Sequence, residues 1–171
     1  QIAAALLSSQ SYDEALAVLN PEIKRLEKEY RPLEKFAHEN LMQHIVSGNL
    51  EWDELNPKQK ALAQQFVDTR SQLAHAFSLK AKAYLWKVEP KQSLAPMRRA
   101  LFLEPNNGDF LYWYGTALAL TNEYRAAASV WQRAVEADPN NAAARKALSR
   151  IMSLIQEDRP APIIGGGAAP R

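Results

Sequence analysis

The chain has 171 residues, 21 of them basic and 19 acidic, for a net charge of +2, and it has no cysteine. That balance singles out no polyanionic partner, and the missing thiols exclude disulfides and thiolate metal sites. No run of about 18 apolar residues occurs, so nothing reads as a membrane-spanning helix. The length fits one domain with a tail.

Residues 1–19 read as a helical hairpin. Ile2, Leu6 and Leu7 precede a Ser-Ser-Gln-Ser turn, and Tyr12-Asp13-Glu14-Ala15-Leu16-Ala17-Val18-Leu19 follows it. Asn20-Pro21-Glu22 then has the form of a helix start, with Asn20 as N-cap and Pro21 in the first helical position. From there Ile23, Leu26, Tyr30, Leu33, Ala37, Leu41 and Ile45 recur at spacings of three and four, the apolar stripe of a long helix. The other faces carry five acids and five bases between Glu22 and Glu39. Pro32 inside the stripe predicts a kink near Arg31 or a break into two helices, and Gly48-Asn49 is the expected stop.

Leu50, Trp52 and Leu55 in acidic surroundings predict a single turn that plugs apolar side chains against the helices. Asn56-Pro57 repeats the start device of Asn20-Pro21. Beyond it Leu62, Phe66, Leu73, Phe77, Tyr84 and Val88 keep one stripe in phase, interrupted only at Thr69-Arg70 and Lys80-Ala81. A helix from about Lys58 to Lys87 is roughly 45 Å long. Its natural partner is the helix of 21–47, as an antiparallel hairpin. The alternative is that both stripes face outward and build a homo-oligomer or a bundle with a partner.

A longer periodicity takes over within this helix. Arg99-Ala100 and Glu104-Pro105-Asn106-Asn107 recur as Arg133-Ala134 and Asp138-Pro139-Asn140-Asn141. In the second unit, Gly108 to Asn141, the small residues Gly115 and Ala127 stand among Leu111, Tyr114, Leu118, Trp131 and Ala134, and Pro139 cannot continue a helix that ends before it. Shifted back by one such period, Phe77, Ala81, Tyr84, Met97, Ala100 and Pro105 take the corresponding places from Ala74 onward. This pattern resembles the tetratricopeptide (TPR) repeat, and it covers 74–156 once Ala142–Gln156 is added as a capping helix. The earlier unit departs from it at Lys80, where an apolar residue is expected, at Ser93 in place of a small Ala, and at Glu89-Pro90-Lys91 in the turn. Tyr12 to Leu16 resembles the start of a second TPR helix, with Ala3 and Ala15 as its small pair, so 1–19 reads as a truncated repeat. Residues 20–73 follow no TPR pattern and read as a long-helix insertion or subdomain. Residues 157–171, rich in Pro and Gly, read as a flexible tail.

The resemblance implies an all-α, TPR-type solenoid of two repeats and a cap, with an N-terminal long-helix hairpin. It also implies a non-enzymatic scaffold that holds a partner segment in a concave groove lined by the first helix of each repeat. Carried onto this chain, the groove residues are Ser78, Lys82, Trp86, Tyr112, Thr116, Lys146 and Arg150, with His75, Leu85 and Asp109 beside them. Three positive charges and aromatic walls then fit a protein or peptide partner of acidic character. TPR domains that clamp the acidic C-termini of chaperones carry Lys, Asn, Asn, Lys and Arg where this chain has Ser78, Lys82, Trp113, Ala143 and Ala147, so that clamp is not expected.

No catalytic motif is present: no P-loop, no Gly-x-Ser-x-Gly and no Gly-x-Gly-x-x-Gly. His38 and His44 are six apart and do not share a helical face, so no metal or other cofactor is expected. Residues 58–88 hold six Lys or Arg against one Asp. With Lys91, Arg98 and Arg99, and with Tyr84 and Trp86 nearby, they form a phosphate- and base-contacting alternative. They make no continuous basic run, so nucleic acid is the less favoured partner. The chain opens without a Met or a signal region, and with its Pro/Gly/Ala tail this fits a bacterial periplasmic or envelope protein working within a larger assembly.

Overall fold

The computed structural model describes residues 1–40 and 55–157. Among them every regular element is an α-helix: α1 Ile2–Ser8, α2 Tyr12–Asn40, α3 Pro57–Trp86, α4 Pro90–Leu103, α5 Gly108–Leu120, α6 Tyr124–Ala137 and α7 Ala142–Glu157. Each packs on the next, and α3 also meets α1 and α5. Leu41, His44, Ile45, the stop at Gly48-Asn49, Leu50 and Trp52 of the expected plug, and the tail from 158 on lie outside the described residues. Leu55 of that plug is buried with Ala37 and Ala63 under Phe36 and Phe66.

The long helices come from one continuous seam. Leu16, Leu19, Ile23, Leu26, Tyr30, Leu33 and Ala37 alternate at spacings of three and four, and all are buried. They run through Pro21 and Pro32 without interruption. The expected helix start at Asn20-Pro21 is therefore absent, and so is a break near Arg31. A proline inside a helix costs about 3 kcal/mol, whereas each large apolar side chain buried contributes about 1.5–3 kcal/mol. Seven seam residues outweigh two prolines. Asn56-Pro57 does start a helix: the Asn56 side chain accepts from the Gln59 N–H at 2.9 Å, and the Gln59 side chain accepts from the Asn56 N–H at 3.0 Å. No helix precedes Asn56 directly in the described chain, so the cap forms there.

The α2 seam faces α3 within the same chain. Tyr30 stacks on Phe66 with ring centroids 5.6 Å apart, and Leu26 shares a core with Leu73, Ala76 and Phe77. Over the described residues, the stripes read in the sequence as hairpin or oligomer surfaces pack against each other. Burial also pushes the Tyr30 phenol up to about 12, with Glu34 beside it acting in the same sense. The end of the α3 stripe does not hold, because Val88 lies beyond the helix and is 84 % exposed.

Three hairpin turns have one geometry. Gln10, Val88 and Asn122 all have left-handed φ, between 62° and 66°. The residue after each donates its N–H to a carbonyl five residues back: Ser11 to Leu6, Glu89 to Tyr84 and Glu123 to Leu118, at 2.8–2.9 Å. This closure satisfies the orphan carbonyls at a helix end. Val88 and Asn122 are separated by one repeat period, whereas Gln10 and Val88 are separated by more than two. The extra chain lengthens α2 and α3 away from the turns. The second helix of the first hairpin and the first helix of the next therefore run on as one antiparallel arm.

Each hairpin crossing pairs a small residue with a larger one. Gly115 faces Trp131, and a Cβ at 115 would lie 2.5 Å from the indole nitrogen. At the equivalent places in the other two hairpins, Ala81 and Met97, and Ala3 and Leu19, are all buried in one core. Ser93 keeps its place among the small residues because its hydroxyl, buried inside, donates to the Pro90 carbonyl at 2.6 Å. The recurring Pro-Asn-Asn string closes one helix and caps the next: Asn107 accepts from Phe110 N–H at 3.2 Å and Asn141 from Ala144 N–H at 2.9 Å. The chain folds as an all-α TPR-type solenoid, with two regular units, a capping helix and a long-helix hairpin at its N-terminal end.

Candidate functional site

The helices α3 and α5 lie side by side, and their facing residues meet at one place. Near the C-terminal end of α3 are Lys82 and Trp86; on α5 are Asp109, Tyr112 and Trp113. Lys82 Nζ is 2.9 Å from an Asp109 carboxylate oxygen and sits 5.2 Å from the centre of the Trp113 ring. The Trp113 indole N–H donates to the other Asp109 oxygen at 3.1 Å. One carboxylate thus holds both the ammonium and the indole in place. An exposed ion pair contributes about 0–1 kcal/mol, and a cation over a ring adds about 0.5–2 kcal/mol depending on desolvation. The Lys82 side chain is only 16 % exposed.

Around this knot runs a chain of rings. Trp86 meets Trp113 edge-on with centroids 6.0 Å apart, and Trp113 meets Tyr112 at 5.3 Å. At the other end Tyr12, the first residue of α2, lies 6.4 Å from Trp86. Trp86 is 39 % exposed; Tyr12, Tyr112 and Trp113 are half-buried. Tyr112 is positioned through its backbone, because its carbonyl accepts from the Trp131 indole and the Thr116 hydroxyl, each at 3.0 Å. Thr116 is half-buried and spends its own proton there.

The rim is charged but self-neutralising. Lys87 contacts Asp13 at 2.7 Å and Glu89 at 3.4 Å. The hydrogen bond to Asp13 holds the Lys87 ammonium above its usual range, with Glu89 adding to it.

The groove residues expected from the sequence divide into three groups. Lys82, Trp86, Tyr112 and Thr116 come together as described. Ser78 does not reach the surface: it is 1 % exposed and its hydroxyl has no hydrogen-bond partner. Its side chain is too short to emerge from a helix that packs against four others. Leu85 is likewise buried. Lys146 and Arg150 are exposed on α7 and make no ion pair among the described residues. Of the three positive charges expected, one is therefore internally paired. Lys80 is half-buried and has no ion pair among the described residues.

Two members were missed as a pair. Trp113, which the expected groove set lacks, meets both Lys82 and Trp86. Tyr12 reaches the groove from the first hairpin, far ahead of Trp86 in the chain. An unexplained Trp four residues after Asp109 was the one available signal, since that spacing puts both on one helical face.

The described residues contain no group of three or more His, Asp or Glu side chains arranged to hold a metal. None of their helices is long and apolar enough to cross a membrane. The basic residues at 98–99 are not free for phosphate on every side: Arg99 reaches Glu27 at 3.5 Å and lies over Phe77 and Phe102.

No family model matches the chain, and no curated protein does. Two solved TPR structures are similar to it. One is the NMR structure of the second TPR domain of human RPAP3 in complex with an HSP70 peptide, 17 % identical with a TM-score of 0.45, over 55 % of this chain and 84 % of that one. The other is the crystal structure of the Sgt2 TPR domain from Aspergillus fumigatus, 16 % identical with a TM-score of 0.48, over 81 % of this chain and 91 % of that one. The TPR-type fold stands on the chain's own geometry: two turns one repeat period apart, a third turn of the same form, and the close approach of Trp131 to Gly115 where two helices cross.

Proposed function

We propose that this chain is a non-enzymatic protein–protein interaction scaffold that holds an extended partner segment across the α3–α5 face, as one part of a larger assembly. The observation that carries this reading is the chain of four rings, Tyr12, Trp86, Trp113 and Tyr112, with Trp86 part-exposed within it. Buried aromatic contact is the main source of affinity in protein interfaces, and Trp and Tyr dominate their hot spots. Here the rings are held at fixed spacing by Asp109 and by the Tyr112 carbonyl, so little ordering is left for the binding step. Thr116 and Tyr112 form one wall of this surface, Lys82 its floor, and Lys146 and Arg150 on α7 a basic extension of it.

A displayed library of random peptides, selected on the purified chain, tests the reading. Selected peptides should lose roughly tenfold or more in affinity for Trp86→Ala, with an unchanged helical circular-dichroism melt as the control for folding. Equal affinity for both proteins would remove the ring chain from consideration and leave the long α2–α3 arm as the surface to examine.

A further inference from the structure

The geometry points to an uncharged, proline-containing extended segment as the occupant of this surface, in place of the acidic one that its lysine first suggests. The inference rests on the groove reading above and deepens it. Lys82 is the only cation among the clustered groove residues, and Asp109 already neutralises it at 2.9 Å while Trp113 covers it. An incoming carboxylate would have to displace one already in place and would face repulsion from it. At the rim, Lys87 is held between Asp13 and Glu89 in the same way. An acidic ligand therefore finds neither Lys82 nor Lys87, the cations at the rings and their rim, free to pair with it.

What the surface does offer is unused apolar area and unused donors. The Trp86 indole N–H and the Tyr12 and Tyr112 hydroxyls have no hydrogen-bond partner among the described residues. A polyproline II segment presents the complement: apolar rings along its edges and carbonyls that no internal hydrogen bond occupies. Its backbone is ordered beforehand, so an aromatic surface can bind it with little entropic loss. Burying charged residues against the paired Lys82 and Asp109 would add desolvation with nothing to offset it.

The test uses the full chain and two labelled peptides of equal length with blocked ends, one an Ala-Pro-Leu-Pro repeat and one with Glu in place of each Leu, read by fluorescence anisotropy. The neutral peptide should bind at least about fivefold tighter than the acidic one. Trp86→Ala should remove its binding. Asp109→Asn, which keeps the shape of the side chain but frees the Lys82 charge, should narrow or reverse the preference. Tighter binding of the acidic peptide to the unmodified chain would overturn the inference and leave the groove reading standing. So would preference unchanged by Asp109→Asn. Failure of both peptides would also overturn it, and the groove itself is then judged by the selected peptides alone.

Discussion

The hairpin α5–α6 and the long pair α2–α3 are both antiparallel helices closed on an apolar seam, yet they reach that state differently. In α5–α6 the contact is concentrated. Gly115 lets the Trp131 ring come against the helix backbone, and the ring nitrogen then fastens to the Tyr112 carbonyl. One small residue, one large ring and one hydrogen bond define the crossing. In α2–α3 the contact is distributed over a seam of ordinary size, and that seam overrides two prolines. Concentrated packing makes the regular hairpin intolerant of change at a few places. Distributed packing lets the long pair absorb local faults. The difference also bears on binding, because the rigid hairpin is the one that carries Tyr112 and Trp113.

The sharpest way to break this contrast is at the crossing. Trp131→Ala should destabilise the chain by about 3–5 kcal/mol in urea unfolding. Gly115→Ala should cost about 1–3 kcal/mol despite Ala's better helix propensity. The pair Gly115→Ala with Trp131→Met copies Ala81 and Met97, whose flexible thioether fits against a methyl. The double variant should be more stable than the sum of the single changes. Simple additivity would show that the ring and the glycine are not coupled.

In the long pair the effect has the opposite sign. Pro21→Ala restores a helical N–H and removes a ring from the interior of α2. It should stabilise by about 2 kcal/mol, the helix gain of roughly 3 kcal/mol being offset by about 0.4–1 kcal/mol from a more flexible unfolded chain. A loss of stability on thermal unfolding would mean that Pro21 is required by packing beyond the seam.

The smallest effect falls on the turn between α3 and α4. Val88 is a β-branched residue at φ 63° and is largely exposed, whereas the equivalent turn of the regular hairpin has Asn122. Left-handed backbone costs a branched residue about 1–2 kcal/mol and costs Asn less. Val88→Asn should raise stability by about 1 kcal/mol, and an unchanged midpoint would count against strain at this turn.

Much of the fold was legible from residues alone. The repeated Pro-Asn-Asn strings, the small residues at Ala81 and Gly115, and the apolar stripes all act over a few residues or at a constant spacing, so their meaning survives without coordinates. The Asn56-Pro57 cap was readable for the same reason. Its twin at Asn20-Pro21 was not, because a cap is a local preference of about 1 kcal/mol and the seam on either side of it belongs to a whole helix packed on another. The site divides along the same line. Lys82 and Trp86 share a helical face by their spacing, and the resemblance to the TPR repeat put Tyr112 across the groove from them. That Asp109 would neutralise Lys82, that Tyr12 would join Trp86 from the far end of the chain, and that Ser78 would sink from view depended on how α3 is enclosed by its neighbours. Sequence by itself determined the repeat, its caps and the helical faces, since these are set by short-range geometry. Tertiary structure decided which charges remain free and which rings meet, since those depend on partners distant in the chain.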